Sequence, residues 1–150
     1  MDNKMSNLFI IISITLIISF ASMNKIGGWY LNLNKSSLTP PGYIFSIVWI
    51  TLYILMSISV WIVWEKEKKI TLPIILYIIQ LILNFAWSPL FFKYHLINES
   101  LLLLLLIWIL VFIIIDLFYS INKKAGLLLI PYLIWLSFAF YLNYYIVKNN

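Results

Sequence analysis

Residues 101–115 read LLLLLLIWILVFIII, and this stretch decides the fold because it contains no charged side chain, glycine or proline. A continuous apolar run is typical of a helix that crosses a bilayer, since a hydrocarbon core of ~30 Å requires ~20 mostly apolar residues. Strands of a membrane barrel are shorter and alternate apolar with polar side chains. Lipid offers the backbone no hydrogen-bond partner, so the segment must pair its own N–H and C=O groups as a helix.

Four further apolar segments extend this interpretation to the whole chain. Hydrophobic residues make up 64% of the sequence and charged residues 10%, against ~25% charged in typical soluble proteins, which excludes an ordinary soluble domain. We predict an all-α, membrane-embedded bundle of five transmembrane helices in a single domain, residues 1–150. The predicted helices cover about residues 8–23, 41–64, 72–92, 101–119 and 127–147, and the longest connecting loop covers residues 24–39.

The first segment has an alternative interpretation as a secretory signal peptide. Lys4 precedes an apolar stretch, and Ser19-x-Ala21 faintly resembles a cleavage site. The cleavage pattern is poor, however, and Ser13 and Ser19 are small polar residues of the kind that pack between membrane helices. We therefore favour a transmembrane helix.

Charge and cysteine content exclude several classes of chemistry. The chain has no cysteine, and all ten of its positive residues are lysines, so thiolate catalysis and bidentate arginine contacts are absent. His95 is the sole histidine, and one histidine cannot build a metal site. We expect no catalytic residue, no metal, no cofactor and no nucleic-acid partner. The lysines lie in loops and at the termini, where they suit contact with membrane lipid.

Polar side chains inside membrane helices are costly and require a reason. Gln80, Asn84 and Trp87 are spaced i, i+4 and i+7, so they share one face of the third predicted helix. One interpretation is hydrogen bonding between helices. The other is that two amides and an indole line a cavity and orient a ligand.

Aromatic stripes on two other helices favour the cavity. Trp49 and Tyr53 share a face of the second helix, and Trp135, Ala139 and Asn143 share a face of the fifth. Aromatic belts at the membrane surface do not explain tryptophans away from helix ends. A flat aromatic ligand is the economical explanation, because aromatic side chains stack on one.

Three further features have simpler interpretations. Trp29 and Tyr30 in the long loop are either belt residues, which composition alone favours, or part of a segment that folds over the bundle. Asp116, the carboxylate within the fourth predicted span, can extend to water rather than act as a proton relay. A weak cholesterol-contact pattern is formed by Leu142, Tyr144 and Lys148.

Three motifs together resemble the translocator protein family (TspO/MBR, the tryptophan-rich sensory proteins, called the peripheral benzodiazepine receptor in animals). The first is Trp29-Tyr30 followed by LTPP at residues 38–41 and VWITLY at residues 48–53. The second is NFAWSPLFF at residues 84–92, and the third is LIPYLIW at residues 129–135. They occur in the family's order and spacing along nearly the whole chain.

The resemblance implies a five-helix bundle, often dimeric in bacteria, with a cavity that accepts porphyrins and, in some members, sterols or synthetic ligands. It implies a sensor or transport regulator as the leading function. Carried over by position, the predicted cavity residues are Trp49, Tyr53, Gln80, Asn84, Trp87, Trp135, Ala139 and Asn143, and the lid residues are Trp29 and Tyr30.

The chain departs from the family pattern at Leu38, where relatives usually carry a tryptophan, and at residues 101–106, where an aspartate is replaced by leucine. The first departure counts against one alternative, an enzyme that degrades protoporphyrin in light. The other alternative is a structural or partner-binding membrane protein. The N-terminus is not Arg-rich as in organelle transit peptides, so we expect a multi-pass protein of a bacterial cell membrane. The expected partners are a porphyrin or other flat hydrophobic molecule, membrane lipid and a second copy of the chain.

Overall fold

A computed structural model describes residues 3–22 and 27–150 of the chain, and these residues fold into helices joined by short connections. The helices, in chain order, are α1 (Asn3–Ser22), α2 (Gly28–Leu31), α3 (Gly42–Glu67), α4 (Leu72–Phe92), α5 (Ile97–Ile121), α6 (Lys123–Leu128) and α7 (Ile130–Asn149).

Five helical segments are long and apolar enough to cross a membrane. They are α1, α3, α4, α5, and α6 together with α7, which form one span from Lys123 to Asn149. The predicted all-α bundle of five transmembrane helices is therefore confirmed. Residue 23, the end of the first predicted helix, and residues 24–26, the start of the predicted lid loop, lie outside the described residues.

Several helices extend beyond the apolar segments that predicted them. The predicted fourth helix, residues 101–119, is α5, which covers Ile97–Ile121. The predicted fifth helix, residues 127–147, begins earlier, because the side chain of Asn122 accepts hydrogen bonds from the backbone N–H groups of Lys124 (2.9 Å) and Ala125 (3.4 Å). Such a cap starts a helix at polar residues that a hydropathy pattern assigns to a loop.

The helices form a ring. α1 packs between α3 and α4, α5 packs extensively on α4, α6 and α7, and α3 packs extensively on α6. The order around the ring is therefore α1, α3, α6 with α7, α5 and α4. α1 is thus an integral helix of the bundle.

Pro131 decides where the last span bends. It lies in the first turn of α7, where its missing N–H costs no hydrogen bond, and Leu129 separates α6 from α7. α6 stays close to its neighbours: Ser59 Oγ donates to the Ala125 carbonyl at 2.7 Å, and a Cβ on Gly126 would lie 2.6 Å from the Tyr119 Cβ. α7, beyond the bend, packs only lightly on α3. The bundle is consequently tight at one end and open at the other.

Candidate functional site

The open end of the bundle contains a cavity of about 260 Å³. Because consecutive spans are antiparallel, this end collects the first turns of α3 and α5 and the last turns of α1, α4 and α7. Eight of the residues singled out from the sequence line it: Tyr30, Trp49, Tyr53, Asn84, Trp87, Ala139, Leu142 and Asn143.

Sequence reasoning did not select the other lining residues. They are Ser19, Gly42, Phe45, Ser46, Ser88, Phe91, Phe92, Leu104 and Ile146. Helical spacing could have found two of them, because Phe45 precedes Trp49 by four residues and Phe91 follows Trp87 by four. Ser19 was interpreted only as a small polar residue for helix packing, and nothing in the sequence marks Leu104.

A chain of buried hydrogen bonds closes the floor of the cavity. Tyr53 Oη donates to Asn84 Oδ1 at 2.8 Å, Asn84 Nδ2 donates to Tyr132 Oη at 2.9 Å, and Tyr132 Oη donates to Gln80 Oε1 at 3.0 Å. The chain joins α3, α4 and α7. Gln80 lies behind the cavity wall within this chain, whereas Asn84 both belongs to it and lines the cavity.

Two polar atoms of cavity-lining residues are buried without a hydrogen-bond partner among the described residues: Trp87 Nε1, a donor, and Asn143 Oδ1, an acceptor. The amide nitrogen of Asn143 is already engaged, since it donates to Ser100 Oγ at 3.2 Å. Buried polar groups without a partner are costly and rare. A ligand that reached these atoms would supply a partner for one donor and one acceptor, both on residues that line the cavity.

Aromatic side chains make up much of the remaining surface. The rings of Trp49 and Tyr53 stack at 5.4 Å between centroids, and those of Trp87 and Phe91 stack at 5.1 Å. The described lining contains no charged side chain. Such a surface suits a flat, mostly apolar molecule.

α2 lies over the mouth of the cavity as a lid. The Trp29 ring stacks on His95 with centroids 4.0 Å apart and meets the edge of Phe91 at 5.7 Å. Tyr30 packs against Phe92 at 5.3 Å. Trp29 anchors the lid without lining the cavity, whereas Tyr30 does line it, and burial raises the pKa of the Tyr30 hydroxyl, which keeps it protonated.

Lys35 binds the carbonyl groups at the C-terminal end of α2. Its ammonium group donates to the carbonyl oxygens of Tyr30 (2.8 Å), Leu31 (3.0 Å) and Leu33 (3.2 Å). A cation among the free carbonyls at a helix C-terminus is favourable.

The segment that follows Lys35, residues 36–41, crosses from α7 back to the start of α3. Ser36 Oγ and Tyr141 Oη are 3.3 Å apart, which fixes one end of this segment on α7. Leu38, where relatives usually have a tryptophan, is 61% exposed and does not line the cavity.

Trp135 lies in the wall outside the lining. Its ring meets Phe45 edge-on at 5.5 Å, and Phe45 lines the cavity. The three residues of the weak sterol pattern do not share a surface, because Leu142 is buried and lines the cavity while Tyr144 and Lys148 are exposed. Asp116 is exposed on α5. Within residues 3–22 and 27–150 no group of three His, Cys, Asp or Glu side chains could hold a metal ion.

Comparison with known proteins shows which protein family the chain is similar to. The sequence model of the TspO/MBR family matches residues 7–148. The chain is 35% identical to the Tryptophan-rich protein TspO of Chlorobaculum tepidum over 158 aligned positions, covering 100% of this chain and 99% of the relative. It is 36% identical to the Translocator protein of Homo sapiens (81% and 75% covered) and 34% identical to the Tryptophan-rich sensory protein of Cereibacter sphaeroides (81% and 77% covered).

Proposed function

Since the chain belongs to the TspO/MBR family, we propose that this multi-pass integral membrane protein binds a flat hydrophobic molecule of the porphyrin type in the cavity between its helices. Binding serves a sensory or transport-regulating role, in keeping with the names of its relatives. The observation that carries the proposal is the uncharged, aromatic lining with a buried, unpartnered indole N–H on Trp87.

The uncharged lining determines how such a ligand would be oriented. Burying a carboxylate without a partner is far more costly than burying an aromatic ring. The acidic groups of a porphyrin therefore stay at the mouth, where Lys93 is exposed, and the apolar edge of the ring enters between the stacked aromatic pairs. A volume of about 260 Å³ suits part of a tetrapyrrole, since complete ligand sites usually enclose ~300–1,000 Å³.

Of the two hydrophobic ligand classes suggested by the resemblance, porphyrin and sterol, the lining supports porphyrin better. The lining contains two stacked pairs of rings, Trp49 with Tyr53 and Trp87 with Phe91, and aromatic surface of this kind suits a planar conjugated molecule better than a saturated one. The residues of the weak sterol-contact pattern, Leu142, Tyr144 and Lys148, do not share a surface to which a sterol could bind. We further propose a bacterial cell membrane as the location and a homodimer as the assembly, both on the resemblance of the motifs.

The experiment is quenching of tryptophan fluorescence by protoporphyrin in detergent or nanodiscs, in the dark and under illumination. Saturable quenching that weakens in Trp87→Phe but not in Trp108→Phe supports the proposal, because Trp108 lies outside the lining and bonds to Ser137 Oγ at 2.9 Å. Bleaching of the pigment only in the light would favour the enzyme alternative. Equal, non-saturable quenching in all three proteins contradicts ligand binding in this cavity.

A further inference from the structure

The wall between α3 and α7 is the weakest part of the cavity. α4 and α5 pack extensively on each other, and α3 packs extensively on α6, but beyond the bend at Leu129 the contact between α3 and α7 is slight. Across this gap the aromatic contacts are Phe45 with Trp135 at 5.5 Å and Trp49 with Tyr132 at 6.2 Å. Both helices are long and apolar enough to cross a membrane and are neighbours in the ring, so in a bilayer the outer side of this gap would meet lipid.

The cavity reaches the surface of the bundle beside this gap. Gly42 and Ser46, on the first two turns of α3, are exposed although they line the cavity. Phe45 lies between them in the sequence and is half-buried, as is Trp135. On this side of the cavity the lining residue Phe45 is backed by Trp135, which packs against its ring.

The lid at the mouth is held more firmly. Trp29 stacks on His95, and the side-chain amide of Asn34 donates to the Asn149 carbonyl oxygen at 3.0 Å. Asn34 also bonds to the last turn of α7, through its backbone N–H to Asn150 Oδ1 at 2.9 Å. Lifting the lid breaks these hydrogen bonds, whereas rotating Phe45 and Trp135 breaks none, because the Trp135 indole N–H has no partner among the described residues.

We propose that Phe45 and Trp135 form a side gate through which a hydrophobic ligand passes from the bilayer into the cavity, without the lid opening. This proposal rests on the proposed function, because it takes the cavity to be a ligand-binding site. A ligand of this kind concentrates in lipid before it meets the protein. Paired rings can open by side-chain rotation, which occurs without rearrangement of the helices.

Cysteine labelling tests the route without any assumption about the natural ligand. The chain contains no cysteine, so Leu104→Cys introduces a single thiol on the far wall of the cavity, at a residue that lines it and is 3% exposed. Leu105→Cys is the matched control, since Leu105 is the next residue of α5 and is 43% exposed on the outer face. The probe is a long-chain N-alkyl maleimide dissolved in the membrane of vesicles. The measured quantity is the labelling ratio, which is the rate of thiol labelling in Leu104→Cys divided by the rate in Leu105→Cys.

We expect Phe45→Ala to raise the labelling ratio by about three- to tenfold, because this fold-change corresponds to the stabilisation that one aromatic pair provides. Phe45→Trp should lower the labelling ratio. Trp29→Ala, which loosens the lid, should leave the ratio unchanged. The proposal is overturned if Trp29→Ala raises the ratio and Phe45→Ala does not, if neither does, or if Phe45→Ala accelerates both thiols equally. Quenching of tryptophan fluorescence by protoporphyrin tests the proposed function separately, so the side gate and the proposed function can fail independently.

Discussion

Tyr53 Oη donates a hydrogen bond of 2.8 Å to Asn84 Oδ1, and this bond joins α3 to α4 directly beneath the cavity. Asn84 continues the hydrogen-bond chain to α7, since its amide nitrogen donates to Tyr132 Oη. With its amide oxygen and amide nitrogen both engaged in the protein, Asn84 is a structural side chain that also lines the site. Trp87, about one turn further along α4, also lines the cavity, and its buried indole N–H has no partner among the described residues.

Replacement of Tyr53 by Phe should lower the stability of the bundle. The substitution keeps the ring and removes the donor, which leaves Asn84 Oδ1 buried without it, at a cost of about 1–3 kcal/mol. Thermal unfolding in detergent measures the effect as a lower Tm. Tyr43→Phe is the control, because Tyr43 is 67% exposed, and an equal Tm for both variants would contradict the structural role of this bond.

Replacement of Trp87 by Phe should weaken porphyrin binding by about three- to tenfold, the range for one hydrogen bond of ~0.5–1.5 kcal/mol. The stacking surface beside Phe91 is retained, but the unpartnered donor is lost. Titration with protoporphyrin against the Trp108→Phe control measures the change. An unchanged Kd would show that the ligand does not use the Trp87 indole N–H.

Replacement of Lys35 by Gln should loosen the lid. The ammonium group donates to three carbonyl oxygens, and its flexible neutral substitute cannot satisfy all of them. Hydrogen exchange of residues 27–35 should become faster while that of α5 stays the same. Lys93→Gln, a change of the same charge at the same end of the bundle, controls for electrostatics, and equal acceleration in the two variants would argue against a specific tie.

Replacement of Gly126 by Ala should destabilise the contact between α5 and α6. The added Cβ would lie 2.6 Å from the Tyr119 Cβ and 2.8 Å from its backbone, which cannot move as freely as the end of a side chain. Thermal unfolding measures the loss. Gly27→Ala is the matched control because nothing lies within 4 Å of the Cβ it would add, and similar Tm values for the two would contradict the close packing.

Much of the site was visible as helical spacing. Trp49 and Tyr53 on one face, Asn84 and Trp87 on another, and Ala139 with Asn143 on a third are brought together around the cavity. The roles of these residues in ligand binding remain predictions. Spacing cannot tell a residue that lines a cavity from one that supports it, and for that reason Gln80 was grouped with its neighbours although it lies behind the wall.

The sequence by itself determined the membrane fold, since continuous apolar runs can satisfy their backbone in lipid only as helices, and it determined the family through three spaced motifs. Only the tertiary structure decided which side chains meet. α7 packs only lightly on α3, and the contact of Trp135 with Phe45 lies between these two helices beside the cavity. Such contacts depend on the angle and distance between helices, which follow from packing over the whole bundle rather than from the periodicity of any one helix.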